Sequence, residues 1–132
     1  MSLAHLTLPN RDVDKTARFF EKTLGYARSP VPRNSPVETV WLDIGGGQQI
    51  HVFYVERFEV SPFEGEFGRH VAVWYPLEQF AELKARLIEQ GAALVEPLRA
   101  SPFERFFFRE PVNGYVFEVI EGAGRAAIHL DQ

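Results

Sequence analysis

The sequence has 132 residues, of which 45% are hydrophobic, and its 14 basic and 18 acidic side chains give a formal net charge of −4. This length and composition suit one domain or two very small ones with a real core, and exclude a chain that is disordered throughout. No basic run could follow a phosphate backbone, no apolar run approaches the ~18 residues of a membrane span, and the absence of Cys removes disulfides and thiolate metal sites.

The first segment, Leu3 to Leu8, alternates as a strand and carries no signal-peptide pattern, so a cytoplasmic protein is expected. A helix follows. Asp12 or Asp14 suits its N-terminus, Val13, Ala17, Phe20 and Leu24 recur at helical spacing, and Gly25 sits where a helix commonly ends. Pro30, Pro32 and Pro36 keep any strand near residues 26–33 short or at an edge. Glu38 to Ile44 and Gln48 to Glu56 form a hairpin around Gly45-Gly46-Gly47. Residues 57–68 read as a connector. Arg69 to Tyr75 is the next strand, and Pro76 opens a helix with a stripe of Leu77, Phe80, Leu83, Leu87 and Ile88 that Gly91 closes. Ala93 to Leu98, Glu104 to Glu110 and Tyr115 to Glu121 are strands, the last two joined through Asn113-Gly114.

The order βαβββ therefore occurs twice, which predicts an α+β fold of two modules. Residues 1–56 form the first module, 57–68 the connector, 69–121 the second module and 122–132 a surface tail. His5 and His70 lie 65 residues apart, each expected second in the strand that opens its module. His51 and Glu118 lie 67 apart, each inside the strand that closes one.

Side chains alternate across a strand. The face opposite these four residues is almost wholly apolar, holding Leu6, Leu8, Ile50, Val52, Val71, Val73, Phe117 and Val119. An ionised carboxylate amid Tyr-Val-Phe-Glu118-Val-Ile needs compensation, and a metal provides it. His5, His51, His70 and Glu118 suit a borderline divalent ion such as zinc, nickel, cobalt, iron or manganese. A lone strand histidine is more often a hydrogen-bonded or surface residue, and Glu118 alone could pair with Arg105 or Arg109. The joint placement in a repeat carries the metal reading. The fourth histidine, His129, lies in the polar tail and is expected to be solvent-exposed.

These features resemble the vicinal oxygen chelate superfamily, which includes glyoxalase I, fosfomycin resistance proteins, extradiol dioxygenases, methylmalonyl-CoA epimerase and bleomycin-binding proteins. The resemblance runs from Leu3 to Glu121 and rests on four stretches: the His5 strand, Asp14 to Tyr26, the His70 strand, and Phe108 to Glu118. The last is similar to the family's closing hairpin, Phe-x-Asp-Pro-x-Gly-x-x-x-Glu, with Glu110 in place of Asp and one added residue at the turn.

The resemblance implies a glyoxalase-like fold of open eight-stranded cups. It also implies a homodimer in which His5 and His51 of one chain meet His70 and Glu118 of the other, with a site inside one chain as the alternative. The implied activity is that of a metal-dependent lyase or isomerase. Vicinal oxygens of a small substrate would chelate the ion, an oxyanion would be stabilised, and Glu118 would accept a proton. Bacterial glyoxalase I places two His and two Glu at these positions, so His51 stands where that family has Glu. The fosfomycin enzymes and dioxygenases resemble this chain through His5, His70 and Glu118, which makes His51 an extra ligand or a neighbour. By strand parity Trp41, Phe53, Trp74 and Phe107 line the cup, and Arg105 and Arg109 are available for a substrate anion. Two other classes stay open: an iron(II) extradiol-type dioxygenase, and a small-molecule binding or resistance protein without chemistry.

Overall fold

A computed structural model describes residues 3–122, and among these described residues there are two α-helices and eight strands. His129 and the rest of the tail lie outside the described residues. The chain divides between Glu59 and Val60 into two compact units.

In the first unit, β1 (His5–Asn10) leads into α1 (Val13–Thr23), followed by β2 (Ala27–Ser29), β3 (Thr39–Gly45) and β4 (Gln48–Tyr54). The sheet order is β1-β4-β3-β2, with β1 parallel to β4 and the other pairs antiparallel. The Asp12 carboxylate accepts from the Lys15 N–H and starts α1. Gly25 ends it at φ +78°, a conformation that L side chains rarely adopt. Val13, Ala17, Phe20 and Leu24 are all buried, with Leu8, Leu42, Ile50 and Val52 from the sheet. The prolines confine β2 to a three-residue edge strand.

The second unit repeats this plan with β5 (Val71–Tyr75), α2 (Phe80–Glu89), β6 (Ala93–Val95), β7 (Arg105–Arg109) and β8 (Val116–Glu121) in the order β5-β8-β7-β6. Again the opening and closing strands are parallel neighbours. Its core holds Leu83, Leu87, Phe106, Phe108, Phe117 and Val119.

Several boundaries differ from the expectation. His5 is the first residue of β1, and His70 immediately precedes β5. Pro76 adopts an extended ψ of 130°, so a short 3₁₀ turn over Leu77–Gln79 intervenes and α2 starts only at Phe80. Leu77 therefore leaves the predicted stripe, and Ile88 also faces solvent at 59% exposure. β6 stops at Val95, two residues before Pro97, rather than reaching Leu98. A β-bridge joins Glu64, in the stretch read as a connector, to Arg69 just beyond it.

The turn between β7 and β8 shows why Glu110 stands at the family's Asp position. Glu110 is 1% exposed, and its carboxylate accepts from the backbone N–H groups of Val112, Asn113 and Tyr115. The longer side chain reaches the amides of a turn one residue longer.

Tyr115 follows that turn, with the Arg69 guanidinium 4.7 Å above its ring. Burial pushes its phenol well above the ordinary tyrosine value of about 10. The folded chain therefore keeps a proton that the unfolded chain releases. The stabilisation is complete below about pH 10 and is lost as pH rises beyond it. Urea unfolding from about pH 9 to 11 should show falling stability, and Tyr115→Phe should flatten the decline. An unchanged slope in Tyr115→Phe would contradict the assignment.

Candidate metal centre

The repeat places the predicted donors in matching register. In the first unit His5 opposes Gln49 and Thr7 opposes His51 across β1 and β4. In the second, Ala72 opposes Glu118, which puts His70 two residues back along the strand, as His5 is from Thr7. Trp41 pairs with His51, and Phe107 pairs with Glu118. The doubled topology thus brings His5 to His51, and His70 to Glu118.

His51 is 6% exposed and sits inside a column of flat rings. The His5 ring stacks on one face at 3.9 Å and 12°, and Trp41 on the other at 4.2 Å and 4°. Phe53 meets it edge-on at 6.3 Å. One His51 ring nitrogen, Nε2, lies 2.8 Å from the Gln49 side-chain oxygen. Burial and the neighbouring His5 lower the His51 pKa, so its neutral form is favoured. The Trp41 indole N–H finds no hydrogen-bond acceptor among the described residues.

The stacking limits what this pair can do. A metal lies in the plane of each imidazole that binds it. Two nearly parallel planes 3.9 Å apart do not share such a point. In this arrangement only one of the two rings can direct a nitrogen at a given ion. His5 is the exposed ring, and His51 is the ring packed in place.

The second pair is arranged differently. His70 Nε2 lies 3.3 Å from Glu118 Oε1. On its other side, His70 Nδ1 lies 3.0 Å from the Gly65 carbonyl oxygen, which can only accept, so Nδ1 carries a proton and, in the neutral ring, the Nε2 lone pair faces Glu118. This is the tautomer that metal-binding histidines use. Two donors with bonds of about 2.1 Å to one ion stand roughly 3.0–3.4 Å apart, and the observed separation falls in that interval. Phe107 is wholly buried and meets the His70 ring edge-on at 5.2 Å.

Arg105 holds the far oxygen of this carboxylate. Its Nη1 donates to Glu118 Oε2 at 2.8 Å, and Nη2 donates to Glu66 Oε2 at 3.1 Å and to the Arg99 carbonyl at 2.6 Å. Nε donates to Ser101 Oγ at 3.3 Å. With these bonds made, the guanidinium is engaged by protein acceptors through Nε, Nη1 and Nη2. Two carboxylates share this one guanidinium, which leaves the trio with one excess negative charge. That charge and the lone pair of His70 fit a cation.

Arg109 gives Nη1 to the Gly114 carbonyl at 2.8 Å and Nη2 to that of Glu64 at 3.4 Å. Trp74 is 45% exposed and lines a recess with Tyr75, Pro76, Leu77, Glu78, Glu121 and Gly122, which contains neither His70 nor Glu118. Glu66, Gln49 and the Gly65 carbonyl were missed by the sequence reading. Glu66 lies in an irregular turn where no periodicity marks it, and a backbone carbonyl has no signature at all. Among the described residues no three of His, Asp and Glu gather closely enough to hold an ion; the donors come as two pairs, His5 with His51 and His70 with Glu118.

The model of the Glyoxalase/Bleomycin resistance protein/Dioxygenase superfamily matches residues 2–119, and the chain belongs to that superfamily. No curated protein matches it. Among solved structures, the fosfomycin resistance protein FosX of Mesorhizobium loti is 19% identical with a TM-score of 0.72, covering 96% of this chain and 97% of its own. A FosX variant of Listeria monocytogenes, complexed with Mn(II) and 1S,2S-dihydroxypropylphosphonic acid, is 20% identical with a TM-score of 0.73 and 92% coverage of both chains. A glyoxylase/bleomycin resistance protein/dioxygenase domain from Frankia is 22% identical, again with a TM-score of 0.73 and 92% coverage of both. These likenesses establish the shared fold. Among the described residues no helix is long and apolar enough to cross a membrane.

Proposed function

We propose that this chain is a divalent-metal-dependent lyase or isomerase acting on a small substrate with vicinal oxygens, its ion held by His5, His70 and Glu118. The observation that carries this reading is the His70–Glu118 pair, with donor spacing suited to one ion and the imidazole tautomer set by the Gly65 carbonyl. The Mn(II) and the vicinal diol in the Listeria FosX variant support the ion class and the substrate class. When bound, the ion supplies positive charge against a developing oxyanion on the substrate.

This chain's own residues supply the rest. His51 packs beside His5 and sets the side from which His5 approaches. The Trp41 indole N–H is a donor for a substrate oxygen. Proton movement falls to Glu118 Oε1, since Arg105 holds Oε2. The two donor pairs serve one ion in a homodimer, each site taking His5 from one chain and His70 with Glu118 from its partner.

Elemental analysis, Mn(II) titration and a thiol-hemiacetal turnover assay test this reading. About one ion per chain, with turnover abolished by a chelator, is expected. Mixing His5→Ala with Glu118→Ala chains should restore a fraction of the ion sites through subunit exchange. Failure of the wild-type chain to take up any divalent ion would refute the reading.

The stacked His5 and His51 rings favour a second reading. With only one of them binding, as above, the set of two His and one carboxylate is also the facial arrangement of iron(II) oxygenases. Oxygen-dependent turnover of a catechol by the iron(II)-loaded protein, absent under anaerobic conditions, would select it.

A further inference from the structure

Arg105 breaks the symmetry of the repeat. Trp41 and Phe107 take equivalent places, so Arg105 in β7 stands where β3 has Thr39, which opposes Phe53 as Arg105 opposes Ile120. Thr39 makes only a local bond to the Val37 carbonyl and shares one with Ser35. The first half presents a neutral imidazole from its closing strand, and the second a carboxylate. A buried glutamate with three rotatable torsions and two equivalent oxygens needs a fixed partner to present one atom reproducibly.

Arg105 is that partner, and it is itself fixed from outside the sheet. Glu66 accepts from its Nη2, and the same carboxylate accepts from the backbone N–H groups of Leu98 at 2.6 Å and Arg99 at 3.0 Å. The Leu98 amide, with the Arg99 amide and Arg105, lowers the Glu66 pKa, so its ionised form is favoured in this network. A continuous chain of charge-assisted bonds therefore runs from the loop before β7, through Glu66 and Arg105, to Glu118 Oε2.

We infer that Arg105 is a positioning residue for the metal ligand Glu118. It holds Oε2 so that Oε1 alone faces His70, and Glu66 anchors it to the Leu98–Arg99 backbone. The inference rests on the reading of Glu118 as a ligand. The loop ahead of β7 thereby becomes part of the ion site without touching the ion.

The test is Mn(II) titration followed by electron paramagnetic resonance, with residue-resolved amide exchange, on the full chain and its R105Q, R105K and E66Q variants. R105Q is expected to weaken Mn(II) binding about 10- to 100-fold, the range for loss of a partner that orients a ligand. R105K should recover only part of this, because one ammonium does not hold Glu118 and Glu66 together. E66Q keeps the shape of its side chain and touches no proposed ligand. It should both speed exchange at the Leu98 and Arg99 amides and weaken Mn(II) binding, with the β8 amides still protected. Wild-type affinity in a folded R105Q, or faster loop exchange in E66Q with unchanged affinity, overturns the inference alone. Should R105Q not fold, E66Q decides. No Mn(II) uptake by the wild-type chain overturns the ligand reading and the inference with it.

Discussion

Glu118→Ala is expected to weaken binding of a divalent ion by more than about 100-fold and to lower the unfolding free energy by about 3 kcal/mol. The second effect has a separate origin from the first. Arg105 is 8% exposed, and in the variant one of its two carboxylate partners is gone. Removing one member of a buried pair leaves the other incompletely compensated, which typically costs 3–5 kcal/mol. Glu66 and the Arg99 carbonyl remain, so the lower end applies here. Glu118→Gln separates the two roles. Its amide oxygen still accepts from Arg105, so most of the stability should return, whereas the anionic donor stays lost. Metal titration and urea unfolding of both variants provide the check. Wild-type ion affinity in Glu118→Ala would remove Glu118 from the metal set.

The largest purely structural effect is expected at Phe117. This side chain is wholly buried in the second unit and stacks on Phe108 at 5.4 Å and 12°. It lies on β8 immediately beside Glu118 and points to the opposite face, the one on which Phe80 of α2 meets Phe106. Phe117→Ala should cost about 3–5 kcal/mol, the transfer loss plus the cavity left behind. Against a typical total of about 5–15 kcal/mol, this removes a large part of the stability. A urea midpoint shift equivalent to less than about 1 kcal/mol would show that the site collapses far better than its packing implies.

Much of this was legible from residue order alone, for reasons visible in particular elements. The α1 stripe of Val13, Ala17, Phe20 and Leu24 is buried as spaced, because one helix face meets one sheet face. The strand parity that put His51 and Glu118 on the face away from the helices depends only on alternation, which survives small errors in strand ends. What escaped were features set by three-dimensional encounters. Pro76 can start a helix, but here its extended backbone delays α2 by a turn and takes Leu77 out of the stripe. Arg105 carries a charge that suits a substrate or a partner equally well. Its bond to Glu66, 39 residues earlier in the chain, has no mark in the sequence. The sandwich of His5, His51 and Trp41 was equally out of reach, since ring planes depend on rotamers rather than on register.

Each half closes its own ladder by laying its last strand beside its first, and each buries its own set of aromatic and aliphatic side chains. Breathing can therefore occur in one half while the other stays hydrogen-bonded. Opening of the second half would part His70 from Glu118 while leaving the stack of His5, His51 and Trp41 closed.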